Sequence, residues 1–566
     1  MKHTILPTVL LFSLIFSSVK AQSQQTAFHS PVDIPYLMSG SFGEPRPNHF
    51  HCGIDVKTQG TVNKRVLAVA DGYVSRLTVG KDGFGNAIYI THPNGLVSVY
   101  CHLNDFAPAL QQLLRKEQYI RQTDEIDIRL SKGVYPVKAG AWIAYSGNTG
   151  ASLAPHLHME FQRPTNNGSF VLEDPLPYFQ HLAKDDLAPK AHGIKLYSRE
   201  GAGTINGKGK NIIIEPSHNE TTVCNAWGQI GTAIWADDYM NNTSNKFGIY
   251  RIVLKIDGKT VFSSEMKSFG YNENPMVNAW GDFPHYKKTR HWYLKSFREP
   301  GNKLSFIKTS NNNGWINICD ERIYRFEYIL EDLRGNRSTY RFNIRGLRND
   351  EALATEKARM AKLRQNPSFL SCNEAHVIQQ PGMELQIPLG ALSKDDIISV
   401  TVKNKPDGHS NQFRLNDEYA PLLKRATLLI APRYPIDNPK KYYIASSKGF
   451  AGNVYKNGWF SAQVRDLAET YELEKDTIPP TVTAIGNWTK RRSTQLKIKV
   501  LDKGSGPRTL KAFADNTFIL FIRDGNMWTC NLNESPLKAG NKTYTLKVVV
   551  TDRCDNQKIY EQKFIY

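Results

Sequence analysis

Apolar and polar residues alternate with period two through much of this chain, most plainly in Leu496-Lys-Ile-Lys-Val-Leu501 and Tyr544-Thr-Leu-Lys-Val-Val-Val550. Successive side chains of an extended backbone point to opposite faces, so such runs read as half-buried strands. Further strand-like runs cover residues 67–74, 87–91, 96–103, 141–146, 231–235, 249–256 and 324–330, and pairs such as Asp71-Gly72, Asp257-Gly258 and Gly335-Asn336 supply turns. The pattern predicts a mainly β protein. Two stretches depart from it. Residues 108–129 are polar, charged and partly helical in composition, and read as an insertion between strands. Residues 348–366 are dense in helix formers and stop at Pro367, which predicts a helical connector.

At 566 residues, the chain is long enough for three to five domains. The 40% hydrophobic content excludes a mostly disordered chain. The changes in texture divide it into a segment 28–183 dense in glycine and histidine, a β-sandwich over 187–346, the connector, a β-domain over 370–474 and a second sandwich over 476–566. Asp476-Thr-Ile-Pro-Pro480 marks a junction, because its prolines cannot extend a sheet ladder. Asp332…Gly335-Asn336 and Asp552…Asp555-Asn556 fall at similar places near the ends of the two sandwiches, a weak internal echo.

Residues 1–21 combine Lys2, an apolar run and Val19-Lys20-Ala21, the make-up of a secretory signal peptide. Export is therefore expected, with no membrane span after cleavage. The net charge of +19 suits contact with anionic envelope polymers. No nucleic-acid motif is present, and export argues against that partner. Seven cysteines in so long a chain are not a disulfide scaffold, and the odd count leaves at least one thiol unpaired within the chain. Cys52 with Cys101, Cys224 with Cys319 and Cys530 with Cys554 are possible pairs; two buried thiols are as good a reading of the first.

Chemistry concentrates in the first unit. In His51-Cys-Gly-Ile-Asp55, extended backbone would put His51 and Asp55 on one face; the same parity joins Tyr100 to His102 and His156 to His158. If three such strands lie side by side, four imidazoles and a carboxylate converge, a ligand set suited to zinc. A catalytic zinc takes three protein ligands, which leaves two groups for proton transfer and charge stabilisation. Each motif alone is weak. His49 and His92 read as non-ligands, Glu160 as structural, and Arg46 equally as a substrate contact or a structural pair.

Together with Gly43-Glu-Pro-Arg46, Val69-Ala-Asp-Gly-Tyr-Val74, Phe84-Gly-Asn-Ala-Ile-Tyr-Ile90 and Gly147-Asn-Thr-Gly150, these motifs make residues 39–161 resemble the lysostaphin/LytM-type zinc metallopeptidases, which cut peptide bonds in bacterial peptidoglycan. The resemblance implies an antiparallel β-sheet catalytic domain followed by immunoglobulin-like β-sandwiches. It implies Zn2+ held by His51, Asp55 and His158. His156 would be the general base, and His102 would hold the attacking water or stabilise the oxyanion. It implies a peptidoglycan peptide as substrate and the periplasm or cell envelope as location. The alternative is a non-catalytic wall-binding or regulatory protein that activates other hydrolases. The sequence departs from the family pattern in Ala151-Ser-Leu-Ala-Pro-His156, where glycines often precede the proline. Residues 22–40 or the 108–129 insertion are candidates to cover the cleft.

Overall fold

The computed structural model describes residues 28–489 and 492–566, so the signal-peptide reading of 1–21 lies outside the described residues. The chain is mainly β, 47% strand and 12% helix. No helix among the described residues is long and apolar enough to cross a membrane.

The first unit is built on an antiparallel sheet. Its strands run in the order Met38–Gly40, Ile54–Lys57, His156–Pro164, Val97–Phe106, Asn86–Thr91, Gly72–Val79. Beneath one face lies a core that includes Ile54, Val56, Ile88, Ile90, Tyr100, Leu157, Met159 and Phe161, the residues whose parity turns them inward. Residues 28–40 follow the edge of this sheet: Phe28 N–H donates to the Tyr178 carbonyl at 3.2 Å, and Gly40 pairs with Asp55.

Residues 190–346 supply a ten-stranded hydrogen-bonded network, and the fold runs across the sequence boundary at 183–187. The Phe170–Glu173 strand pairs with Ser268–Gly270 beyond that boundary. Phe42, Phe50 and Leu172 sit in the core of the second unit, and Met240 and Phe247 sit in the core of the first. The two units therefore exchange apolar side chains rather than merely touching.

A helix spans Asp350–Leu363, its first turn capped by the Asn349 side chain accepting from Ala352 N–H at 2.9 Å. Two five-stranded sheets then enclose one core built on Leu385, Leu428, Ile444 and Phe460. Two four-stranded sheets enclose another, built on Ile498, Trp528 and Val548. Within 108–129, a helix Pro108–Arg121 is followed by a strand Ile126–Arg129. That helix buries Leu110 and Leu114 on the first unit and meets the last sandwich, where Arg115 Nε donates to Glu534 at 2.6 Å and Tyr119 stacks edge-on with Phe518.

All seven cysteines are free thiols, which corrects the three possible pairings. The strand register explains the first case. His158 pairs with Asp55 on one side and Cys101 on the other, so the Cys101 side chain shares the face of the histidine cluster and does not lie behind it.

Candidate active site

Three neighbouring strands bring the sequence-predicted residues together, although not all by simple alternation. His156, His158 and Glu160 follow parity on one strand, while Leu157 and Met159 enter the core. Asp55 faces His158 across the ladder. His51 precedes the strand in non-β backbone and reaches Asp55 from there. His102 breaks parity. Its φ is +59°, and the register slips opposite it between Asn86 and Ile88, so a bulge turns its ring onto the site face. Tyr100 goes the other way, into the core, where its hydroxyl accepts from Val69 N–H at 2.9 Å. The expected shared face of Tyr100 and His102 is thereby corrected.

The centre is tight. His51 Nε2 lies 3.0 Å from Asp55 Oδ1 and 3.0 Å from His158 Nδ1. His158 Nδ1 lies 2.9 Å from Asp55 Oδ1. The three side chains are buried. Each ring is oriented from behind by an acceptor. His51 Nδ1–H donates to the Ser41 carbonyl at 2.7 Å, and His158 Nε2–H faces Glu160 Oε1 at 3.3 Å. These acceptors fix the tautomers, so both inward nitrogens carry lone pairs. Asp55 is held as well: its Oδ2 accepts from Arg46 at 2.9 Å, leaving Oδ1 for the cluster. Gly40 opposite it is required, because a Cβ there would lie 2.6 Å from Asp55 Oδ2.

Three lone-pair atoms within 3.0 Å of one another, with every ring N–H directed outward, repel unless a cation sits among them. Two imidazole nitrogens and one carboxylate oxygen are a zinc-type donor set. The electrostatics state the same demand in protons. Burial opposes charge on His158, but the Asp55 and Glu160 carboxylates outweigh it and push its pKa up to about 9. Burial takes His51 down to about 4. Asp55 stays well below the usual carboxylate range, since the surrounding histidines outweigh its burial.

Two more imidazoles flank the cluster. His156 Nδ1–H donates to the Ala154 carbonyl at 2.8 Å, and its Nε2 is 3.4 Å from Asp55 Oδ1. His102 Nδ1–H donates to the Thr149 carbonyl at 2.8 Å, and the two rings lie 4.9 Å apart. Burial pushes His102 down to about 4, so it is neutral near pH 7. The carbonyl that fixes it depends on close loop packing: a Cβ on Gly150 would lie 2.4 Å from Gly85 N. On the rim beside His156, Leu153 is fully exposed.

Of the other candidates, His49 is exposed and bonded to the Pro47 carbonyl, and His92 is tied to the Asp71 carbonyl and Ser98 Oγ. Arg46 pairs with Asp55 and Glu44. Glu160, read from sequence as structural, is the carboxylate behind His158; its i+2 spacing was the signal that could have found it. The carbonyls of Ser41, Thr149 and Ala154 have no side-chain signature at all.

Residues 49–171 match peptidase family M23. The chain carries an M23 peptidase domain. Residues 367–476 match the Zu5-like domain. The DD-carboxypeptidase/endopeptidase Mpg of Neisseria meningitidis serogroup B is 33% identical over 129 residues, 22% of this chain and 24% of that protein. The glycyl-glycine endopeptidase ALE-1 of Staphylococcus capitis is 29% identical over 157 residues, 27% of this chain and 36% of its own length. Among solved structures, the catalytic domain of lysostaphin from Staphylococcus simulans is 24% identical, covering 26% of this chain and 92% of its own, with a TM-score of 0.19. The chain thus spans about a quarter of the length of the first of these relatives, 24%.

Proposed function

We propose that the chain is a zinc-dependent endopeptidase that hydrolyses peptide bonds in the cross-links or stems of bacterial peptidoglycan, after export to the periplasm or cell envelope. The observation that carries this reading is the convergence of His51 Nε2, Asp55 Oδ1 and His158 Nδ1 with their lone pairs inward, flanked by His102 and His156. The M23 domain and relatives named as endopeptidases support it. The net charge of +19 suits an anionic envelope.

His51, Asp55 and His158 would hold the metal. Zinc, when bound, polarises the scissile carbonyl and lowers the pKa of water toward about 7. His156 keeps Nδ1–H on the Ala154 carbonyl, so Nε2 is free to take a proton from the attacking water and return it to the departing amine. His102, neutral and with Nδ1–H on Thr149, offers Nε2 as an acceptor that orients the same water. Of the two roles inferred from the family for His102, this geometry favours water-holding over oxyanion donation. Glu160 and the Ser41 carbonyl keep the ligand rings in register.

The test is zinc content of the purified mature chain and of His51→Ala, measured beside release of soluble peptides from purified peptidoglycan. Near-stoichiometric zinc that is lost in His51→Ala, with chelator-sensitive release, is the expected result. A chain with neither zinc nor release overturns the proposal.

A further inference from the structure

A second group of potential ligands lies away from the histidines. Asp185, in the segment joining the first two units, meets Asp238 and Asp332 of the second unit, and one carboxylate oxygen from each lies within 4.8 Å of the others. Asp238 is 7% exposed, and its buried Oδ1 has no hydrogen-bond donor. Among the described residues, none of the three forms an ion pair. The Arg334 guanidinium, which favours the charged form of Asp185, makes no ion pair with it and donates to the Gln180 and Ala183 carbonyls. Asp185 accepts from Leu187 N–H at 3.2 Å, and Asp332 accepts from Asn336 N–H at 2.8 Å and Asn336 Nδ2–H at 2.6 Å. A carboxylate oxygen has two lone pairs, so these bonds leave acceptor capacity facing the cluster.

Three carboxylates this close, two of them buried and the third partly so, are not stable as free anions. Either protons or a cation must neutralise them. Burial, together with the neighbouring Asp332 and Asp185 carboxylates, outweighs a hydrogen bond from Tyr239 N–H and pushes Asp238 up to about 8, which measures how poorly the site tolerates its own charge. We infer that Asp185, Asp238 and Asp332 form a binding site for a hard divalent cation, calcium by preference, at the junction of the peptidase unit and the unit that follows it. The ligands are all oxygen, as calcium requires, and calcium–oxygen distances of about 2.3–2.6 Å suit oxygens spread over this separation better than the ~2.0–2.1 Å of magnesium.

The site has a structural consequence for the peptidase unit. The segment that starts at Asp238 runs to Gly248, whose N–H donates to Ser41 Oγ at 3.0 Å. Within it, Thr243 accepts from Lys57 Nζ at 3.0 Å, and Asn245 Nδ2 donates to the Ser39 carbonyl at 3.3 Å. Ser41 is also the residue whose carbonyl orients His51. A cation on Asp238 therefore anchors one end of a segment that braces the histidine cluster. The chain holds a second such arrangement, Asp476, Asp502 and Asp552, with Asn556 bonded to Asp552 as Asn336 is to Asp332. There Asp502 accepts from Gly506 N–H and Asp476 from Ser505, so no orphaned carboxylate oxygen marks that cluster.

The inference does not rest on the peptidase reading. Its test is calorimetric titration of the full mature chain, in calcium-free buffer, with calcium chloride, beside thermal unfolding with and without calcium. Wild type is expected to bind calcium and to gain at least about 5 °C in its first unfolding transition at saturation. Asp238→Asn is expected to lose that binding event and the gain, while unfolding no lower than wild type in calcium-free buffer, because a neutral amide replaces a buried carboxyl group whose charge the site disfavours. If Asp238→Asn does not fold, the less buried Asp185→Asn is read in the same way. The inference is overturned if wild type shows no calcium binding at millimolar concentration, or if the binding and the thermal gain persist in Asp238→Asn and vanish only in Asp476→Asn.

Discussion

Replacing Glu160 separates the charge behind His158 from the hydrogen bond that orients it. Glu160 is 2% exposed; Oε1 lies 3.3 Å from His158 Nε2, and Oε2 accepts from Gln162 Nε2 at 2.8 Å. Glu160→Gln keeps an acceptor oxygen of the same reach and removes the charge. Hydrogen bonds to charged groups contribute about 1.5–3 kcal/mol and neutral ones about 0.5–1.5 kcal/mol. The expected loss is therefore about 1 kcal/mol, or roughly fivefold in zinc affinity. Glu160→Leu leaves no acceptor, so the ring is free to exchange tautomers and direct an N–H at Asp55. Loss of such an outer partner costs about 10–100-fold. The assay is zinc competition against a chromophoric chelator near neutral pH, with thermal unfolding as a check on the fold. The expected order of affinity is wild type, then Gln, then Leu. A folded Glu160→Leu protein with wild-type zinc affinity would refute the role given to this carboxylate.

His156→Ala is expected to keep its zinc and lose peptide release by about 10²–10⁴-fold, because the substitution removes a proton carrier and no ligand; zinc content and release on one preparation decide it. Asp174 supplies a pH test. Burial outweighs its bond to Leu176 N–H and raises it from its ordinary 3.8 to about 7. The folded state then holds a proton that the unfolded state has released, so stability is lost as pH rises from about 4 through about 7, by roughly 4 kcal/mol at most. Denaturant midpoints at about pH 5 and about pH 8 should therefore converge in Asp174→Asn relative to wild type; an unchanged gap refutes the assignment.

Much of the centre was legible because strand parity is a strict code. His156 and His158 could be placed on one face from spacing alone, and the same code sent Leu157 and Met159 inward; joining Asp55 to them took the added condition that the strands lie side by side, as they do. His51 reaches Asp55, but not by strand alternation, since residues 51–53 are not a strand. Parity failed where the ladder slips. The bulge at His102 reverses its face, and with it the faces expected for Tyr100 and Cys101. A bulge is set by pairing between strands distant in sequence, so no local pattern announces it. The acceptors behind the rings escaped for a related reason: three of the four are backbone carbonyls, whose positions follow from loop packing and not from residue type.

The same limit applies to the boundary between the first two units. Composition changes near residue 187, and a linker of that texture ordinarily separates domains that fold alone. Here the exchange of side chains argues otherwise. Phe50 is one residue from His51, and it is fully buried in the core of the second unit against Phe269 and Trp280. Its N–H donates to Asn274 of that unit at 2.6 Å, and Asn274 also donates to Cys52 Sγ at 3.0 Å. His51 thus lies between two residues held by the neighbouring unit. Cutting the chain at 187 would expose Phe42, Phe50 and Leu172, and burying a side chain of this size contributes about 1.5–3 kcal/mol. Such a loss is a large part of the stability of a typical domain. The unit after the M23 match is therefore part of what holds His51 in place, and a piece of the chain that ends at 187 lacks the partners of Phe42, Phe50 and Leu172.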